Sequence, residues 1–337
     1  MKISKLLSRA ALVVAGSAIA ASGFAQTILR LNHTDQTTGG RHAASVLFAK
    51  KFEEYTQGRY QVRVFCCGQL GNDPKSLEQV ASGGLDFVTS GVGTYAQFIP
   101  QYNVAMMPFL FETLEQGWKW YDESKWIKSL EDQAPSKGFR ILGSLEAGFR
   151  NLTTKAPVNN PDDAKGKKMR VAPTEMMLWT IEAMGFGAQI MPVTEVYLAI
   201  QQGVVQGQDN PIDTIYSNKF YEVAPYITIT NHLYSPLSLA MAEKTWQKLS
   251  PDDQKAVMRA AKDATNFSRN FVKETDEKML TDMVSKGAKV NRTPDFAAFR
   301  KSVETVYAKT REKYSKADVD TVLAETAAVR KAMPAKK

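Results

Sequence analysis

The sequence contains few residues that bind metals or form long-range disulfides. Only three histidines and two cysteines occur in 337 residues, and the cysteines, Cys66 and Cys67, are adjacent. Adjacent cysteines cannot close a long loop, and a disulfide between them would strain the peptide that joins them, so two packed thiols are expected. With so few ligands of this kind, the sequence predicts no metal site.

Motifs that identify many enzymes and nucleotide-binding proteins are also absent. The chain has no phosphate-binding loop, no Gly-x-Gly-x-x-Gly after a strand, no Gly-x-Ser-x-Gly and no His-Glu-x-x-His. No cofactor is therefore expected. Single acids such as Glu146 or Asp213 could still be catalytic if the tertiary structure places them beside other functional groups. The basic residues are scattered, which argues against nucleic-acid binding.

Only one apolar run stands out, and it lies at the N-terminus. Lys2, Lys5 and Arg9 precede a mostly apolar run over residues 10–21, and small residues follow it. A run of this length is too short to span a bilayer and is typical of a secretory signal peptide. We expect cleavage after Ala25 and an exported, soluble mature protein.

The rest of the chain alternates between strand and helix patterns in two similar halves. In the first half, strands are expected at 28–31, 62–65 and 85–89, with helices at 43–55 and from Pro74. In the second half, a strand at 168–171 and a helix at 176–184 precede a helix that Thr194 caps and Gly203 ends, with a strand from Val204. This alternation predicts an α/β fold in two lobes.

A long helix is predicted near the C-terminus. Ser250 and Pro251 form a helix start, and apolar residues continue at helical spacing to about Ser285. Such a helix is roughly 50 Å long at 1.5 Å per residue, long enough to brace both lobes. A coiled coil is the alternative, although polar residues interrupt a strict heptad. The tail, residues 316–337, is expected to be helical.

Five short segments, in this order and after a signal peptide, resemble the solute-binding proteins of tripartite ATP-independent periplasmic (TRAP) transporters, DctP family. The segments are Gly68-Gln69-Leu70-Gly71, Gly148-Phe149-Arg150, Gly166-Lys167-Lys168-Met169-Arg170-Val171, Glu195-Val196-Tyr197 and Gly207-Gln208-Asp209-Asn210-Pro211.

The resemblance covers essentially the whole mature chain and implies a fold and a function. It implies two α/β lobes joined by crossing strands and a long lobe-spanning helix. Lobe one would comprise residues 26–147 with about 235–265, and lobe two residues 148–234 with about 266–315. A periplasmic monomer would close on one small organic acid and deliver it to the membrane permease subunits, without enzymatic activity.

The resemblance also implies which residues bind the ligand carboxylate. Its main arginine corresponds to Arg170, a second to Arg150, and a donating asparagine to Asn210. A guanidinium can meet a carboxylate with two parallel hydrogen bonds, which agrees with this role. From the residues alone, Arg170 could equally be a solvated strand residue, and Arg150 could form a structural salt bridge with Glu146.

Ligand specificity is expected from polar residues near the strand ends, and two ligand classes remain open. A polar set indicates a hydroxy or sugar acid, whereas Trp179 and the methionines Met176, Met177 and Met191 would suit an aromatic or branched acid. Valine at position 193, where the family often has an aromatic residue, weakens the case for stacking. The candidate specificity residues are His33, Asp35, Thr94, Tyr95, Glu146, Thr174, Glu175 and Asp213.

Two other functions compete with transport. The loaded protein could be the input to a sensor kinase, or the chain could be an exported enzyme that processes a carboxylate. Permease genes beside this gene would favour transport, whereas turnover of a bound acid would favour the enzyme.

Overall fold

The computed structural model describes residues 26–335, so the expected signal peptide lies outside the described residues. Short 3-10 helices occupy Val92–Gln97, Pro100–Met106, Ala134–Lys137 and Val193–Glu195. The strands are β1 (Thr27–Asn32), β2 (Tyr60–Phe65), β3 (Phe87–Gly91), β4 (Phe139–Leu145), β5 (Phe149–Thr154), β6 (Lys168–Val171), β7 (Gly187–Ile190), β8 (Gly207–Asn210), β9 (Tyr226–Tyr234), β10 (Leu237–Ala242) and β11 (Lys289–Asn291). The α-helices are α1 (Gly40–Tyr55), α2 (Asp73–Ser82), α3 (Leu114–Glu123), α4 (Lys125–Glu131), α5 (Pro161–Ala164), α6 (Glu175–Ala183), α7 (Val196–Gln201), α8 (Ile212–Ser217), α9 (Phe220–Val223), α10 (Glu243–Trp246), α11 (Pro251–Ser285), α12 (Phe296–Ser302), α13 (Glu304–Lys313) and α14 (Lys316–Ala332). None of these described helices combines the length and the apolar character needed to cross a membrane.

The first sheet has the strand order β2-β1-β3-β10-β4. β1 runs parallel to β2 and β3, whereas β10 is antiparallel to its neighbours β3 and β4. Local sequence explains the helix between β2 and β3: the Asn72 side chain accepts the Lys75 amide at its start, and Gly83 ends it with φ 80°. The polar loops after β1 and β3 therefore lie at one edge of the sheet.

The second sheet has the strand order β11-β9-β5-β8-β6-β7. β6 is parallel to β7 and β8, and β5 is antiparallel to β8 and β9. The predicted strand from Val204 is wrong. Val204 is exposed, and the strand is the polar segment β8, whose four residues are all buried. Hydrophobicity alone could not locate β8, because its side chains are polar and yet buried, where they are hydrogen-bonded to other groups of the fold.

Two further local predictions are corrected. Thr194 does not cap a helix, because it lies in the 3-10 turn Val193–Glu195, and α7 begins only at Val196. Helix α1 begins at Gly40, three residues before the predicted start, and no side chain of its own caps it.

Two short strand-to-strand connections, β4 to β5 and β9 to β10, cross between the sheets. The connections are joined to each other, since the Ser235 amide donates to the Gly148 carbonyl at 3.2 Å. Gly148 has φ 103°, a conformation that favours glycine. We propose that each sheet belongs to one lobe: lobe one is 26–147 with about 235–265, and lobe two is 148–234 with about 266–315.

Helix α11 contacts the cores of both lobes, and the predicted long helix is confirmed. The Ser250 hydroxyl accepts the Asp253 amide at 3.2 Å and caps its first turn. Val257 and Ala261 pack in the core under the first sheet, whereas Leu280 and Met283 pack in the core under the second. One continuous helix therefore connects the two lobes.

The last helix, α14, packs on lobe one. In α14, Glu325 accepts from the Trp120 indole at 2.9 Å, and Asp318 accepts from the Trp126 indole at 2.9 Å. These contacts attach the tail to α3 and α4. Cys66 and Cys67 are free thiols in a turn beside the loop after β1.

Candidate ligand-binding site

A cavity lies between the two sheets and is enclosed by residues of both lobes. It contains about 670 Å³ of empty space, part of it open to solvent. Charged and polar side chains occur on both sides, and prolines and small apolar residues fill the rest of the wall. The lining residues are Asp35, Arg41, Asn72, Asp73, Pro74, Gly91, Gly93, Thr94, Ala147, Arg150, Arg170, Ala172, Pro173, Thr174, Met177, Pro192, Val193, Asn210, Pro211, Thr214, Ser235 and Leu237.

Arg170 contributes a positive charge that no carboxylate contacts. Strand β6 holds it between buried Met169 and Val171, and it is only 2% exposed. Its Nε donates to the Met191 carbonyl at 2.9 Å, and no acidic group among residues 26–335 lies within salt-bridge distance. Burial and the nearby charge of Arg150 lower its pKa to about 10, which leaves it charged at neutral pH. A buried guanidinium in this state favours an anion in the cavity.

Arg150 lines the same cavity but already has a protein partner. Its Nε donates to Asp209 Oδ2 at 2.5 Å, and the guanidinium also donates to the Asp209 carbonyl. The partner is therefore Asp209, not Glu146. Burial would raise the pKa of Asp209, but the charge of Arg150 and the hydrogen bond from His232 outweigh it and hold that pKa below its ordinary value.

Asn210 is the last residue of β8 and lines the cavity, two residues after Gln208 on the same strand. Its Nδ2 donates to Gln208 Oε1, and Gln208 Nε2 donates to the Thr153 hydroxyl at 2.5 Å. This chain of hydrogen bonds and the following Pro211 fix the direction of the amide. We call Arg170, Arg150 and Asn210 the arginine wall.

The lobe-one side of the cavity has the opposite charge balance. Arg41 Nε lies 3.1 Å from Asp35 Oδ2, and Arg41 Nη1 lies 3.4 Å from Asp73 Oδ1. We call Asp35, Arg41 and Asp73 the acidic wall, since two carboxylates surround one guanidinium. The sequence predicted only Asp35 here. Arg41 lies in α1, where no sequence motif indicated a ligand-binding residue. For Asp73, the only available signal was the Asn-Asp-Pro helix start.

Two other specificity candidates, Thr94 and Thr174, also line the cavity. Thr174 caps α6, because its hydroxyl accepts the Met177 amide at 3.3 Å. Of the residues that would have suited an aromatic ligand, Met177 lines the cavity, whereas Met176, Met191 and Trp179 do not. Met176 and Trp179 pack in the hydrophobic core instead.

Five specificity candidates do not line the cavity, and each has a structural partner. His33 is fully buried with Nε2 3.1 Å from His42 Nδ1, and burial, followed by the charge of Arg41, lowers its pKa to about 3. The Tyr95 hydroxyl donates to the Ser238 carbonyl at 3.0 Å in the core. Polar character at a strand end did not distinguish these residues from true lining residues.

The remaining three candidates are acids in contacts between distant segments. Glu146 is buried at a crossing connection, where it accepts from the Tyr234 hydroxyl at 2.8 Å and from Trp118. Glu175 accepts from Lys313 Nζ and the Tyr314 hydroxyl, both at 2.5 Å. Asp213 accepts the Gly40 amide at 2.9 Å.

Two α/β lobes around a cavity, with a buried arginine that contacts no acid between residues 26 and 335, are an arrangement typical of solute-binding proteins. Comparison with known families agrees: the model of bacterial extracellular solute-binding protein family 7, DctP, matches residues 31–313. The chain belongs to this family and has the fold of TRAP-transporter solute-binding proteins. It is a binding protein, not an enzyme.

Curated relatives are similar over most of their length. The chain is 31% identical to the 2,3-diketo-L-gulonate-binding periplasmic protein of Escherichia coli over 291 residues, which cover 86% of this chain and 88% of the relative. It is 28% identical to the sialic acid-binding periplasmic protein of Vibrio cholerae over 304 residues, which cover 90% and 94% of the two chains.

Solved structures share the fold closely. A TRAP periplasmic solute-binding protein from Polaromonas, bound to D-erythronate, is 30% identical with a TM-score of 0.85, covering 89% of this chain and 99% of that one. The sugar acid binding protein of Advenella mimigardefordensis, in complex with galactonate, is 30% identical with a TM-score of 0.87, covering 90% and 99%.

Proposed function

We propose that this protein is the periplasmic binding component of a TRAP transporter and that it captures a small organic acid by its carboxylate. The signal peptide would be removed near Ala25, and the mature protein would act as a monomer that delivers its ligand to the membrane permease subunits. Arg170 carries this proposal, because it is a buried cation at the cavity without a carboxylate partner among the described residues.

The arginine wall supports a specific role for each residue. Arg170 would meet the ligand carboxylate with its free nitrogens, since its Nε is already bonded to Met191. Arg150 would add a second donor while Asp209 keeps its charge compensated. Asn210 would complete the site with its fixed amide.

The acidic wall favours a ligand with one carboxylate and several hydroxyl groups. Arg41 is already compensated by Asp35 and Asp73, so the lobe-one side has no spare positive charge for a second carboxylate. Carboxylates and a guanidinium can instead accept from and donate to hydroxyls. Sugar acids in similar proteins, D-erythronate and galactonate among them, agree with this class.

A thermal-shift screen tests the proposal. The panel contains D-galactonate, D-glucuronate and D-erythronate, with succinate and an aromatic acid for comparison. A ligand at a hundred times its Kd should add roughly 2.7 kcal/mol to the free energy of unfolding. The proposal requires stabilisation by at least one sugar acid. A response confined to aromatic or apolar acids, or to none of the panel, would contradict it.

Closure of the lobes is part of the proposed function. Small-angle scattering should give a smaller radius of gyration when the ligand identified in the screen is saturating. An unchanged radius at saturation would mean that the ligand binds without closure.

A further inference from the structure

Helix α1 of lobe one has no cap from its own segment. Its N-cap is Gly39, which has no side chain, and its first turn contains no acidic residue. The exposed amides of a first turn favour a negative or accepting group. Here the acceptor comes from lobe two: Asp213 Oδ2 lies 2.9 Å from the Gly40 amide nitrogen.

Two glycines permit this approach between the lobes. A Cβ at Gly40 would lie 2.7 Å from Phe271 Cδ1 and 3.3 Å from Asp213 Oδ2. A Cβ at Gly39 would lie 3.2 Å from the Ser217 hydroxyl. A side chain at either position would crowd α8 or α11. The start of α1 can contact lobe two because both positions are glycine.

Asp213 is also connected to the cavity through its own helix. Asn210 and Pro211 precede it and Thr214 follows it, and all three line the cavity. The residue thus lies between the ligand wall of lobe two and a backbone group of lobe one. A ligand that orders the start of α8 would place Asp213 for this contact.

The surroundings of Asp213 disfavour its charge when the lobes are together. Its Oδ1 is buried without a hydrogen-bond partner among residues 26–335, and its neighbours are Asp35 and Arg41 of lobe one and Asp276 of α11. Burial, followed by the charge of Asp35, raises its pKa to about 7, while the Gly40 amide and Arg41 act in the opposite direction.

We infer that Asp213 is a positioning residue for ligand capture: its carboxyl group joins lobe two to the start of α1 as the lobes close, and closure takes up a proton at this group. The inference rests on the proposed closure around a ligand. The Gly40 amide, Asp35 and Arg41 all belong to lobe one, so parting the lobes removes these neighbours and exposes the carboxyl group to water.

The sign of the pH dependence follows from the two states. With the lobes in contact, as in this structure, the pKa of Asp213 is raised to about 7. Parting the lobes should move it towards its ordinary value of 3.8. The protonated carboxyl group of Asp213 therefore stabilises the closed state at low pH, and this stabilisation is lost as the pH rises through about 7. Between the two pKa values, the equilibrium constant for closure falls by up to about tenfold per pH unit, and above the higher pKa it no longer changes with pH.

Distance measurements between spin labels test the inference with and without ligand. Labels are placed at exposed positions in each lobe, Glu78→Cys and Gln202→Cys, in a background with Cys66→Ser and Cys67→Ser. The parent, Asp213→Asn and Asp213→Ser are compared at pH 5.5 and pH 8, alone and with D-galactonate. Glu182→Gln, at an exposed lobe-two acid, is the matched control.

The parent and the control should populate the short distance more at pH 5.5 than at pH 8. For both proteins, the Kd for galactonate should be about tenfold or more higher at pH 8 than at pH 5.5. Asp213→Asn keeps an acceptor for Gly40 without a charge, so its closed fraction should be independent of pH and near that of the parent at pH 5.5. Asp213→Ser should also lose the pH dependence.

The inference is overturned if the asparagine and serine variants keep the pH dependence of the parent, or if the parent shows none. If galactonate does not bind, the sugar acid identified in the screen takes its place, and the distances of the ligand-free protein still decide the role of Asp213. Melting temperatures of the same variants identify a merely structural effect, which would change stability without changing the closed fraction.

Discussion

The two walls of the cavity each contain arginine, but they compensate its charge differently. On the arginine wall, Arg150 is paired with Asp209, whereas Arg170 contacts no carboxylate in the part of the chain that the structure describes. On the acidic wall, Arg41 contacts both Asp35 and Asp73. The difference shows that residue type alone does not identify an anion site. We propose that the guanidinium left without an acid, that of Arg170, is the one available to the ligand.

This comparison assigns separate tasks to the lobes. The arginine wall would recognise the charge of the ligand, and the acidic wall would recognise hydroxyl groups and disfavour a second charge. The predictions below separate Arg150, which also stabilises the fold through Asp209, from Arg170, which is expected to act mainly on binding, and then test the acidic wall.

The largest expected effect is on stability, from removing Arg150. Arg150→Ala leaves the buried carboxylate of Asp209 without its main partner, which should cost about 3–5 kcal/mol of unfolding free energy. Chemical denaturation measures this. The control is Arg292→Ala, which breaks an exposed pair with Glu277 and should cost less than about 1 kcal/mol. Equal effects of the two substitutions would mean that the Arg150 pair is not structural.

Removing Arg170 should affect binding rather than stability. Arg170→Ala should weaken carboxylate binding by roughly 2–5 kcal/mol, because the ligand charge loses its partner in a closed cavity. Arg170→Lys keeps the charge but loses the bidentate hydrogen bonding of the guanidinium, so it should also bind the carboxylate poorly. Calorimetry with the ligand from the screen measures both. Binding by Arg170→Ala within threefold of the parent would place the carboxylate elsewhere.

A smaller effect is expected at the acidic wall. Asp73→Asn removes one negative charge near Arg41 and should improve binding of a dicarboxylate by on the order of 1 kcal/mol, or about fivefold in Kd. Binding of the matching monocarboxylate should change less. Asp73 is only partly buried, so the fold should tolerate the substitution. If both ligands respond equally, Asp73 does not discriminate charge.

The sequence predicted the architecture better than the contacts between lobes. Caps and glycines marked α2 and α11 because these signals are local. Arg170 emerged from a resemblance, and its lack of an acid partner is visible only in three dimensions. Glu146 and Asp213 were candidate specificity residues, yet their partners are Tyr234 and Gly40, which are distant in sequence.

The most direct test of the different tasks of the walls compares two ligands that differ at one end. D-galactonate and galactarate share the hydroxyl groups on C2 to C5, but galactarate has a carboxylate in place of the terminal CH2OH group. Calorimetry on the unmodified mature protein at pH 7 gives both Kd values. The account predicts that galactonate binds at least about tenfold more tightly, since Arg170 meets one carboxylate and the acidic wall repels the other. Equal or tighter binding of galactarate would contradict it.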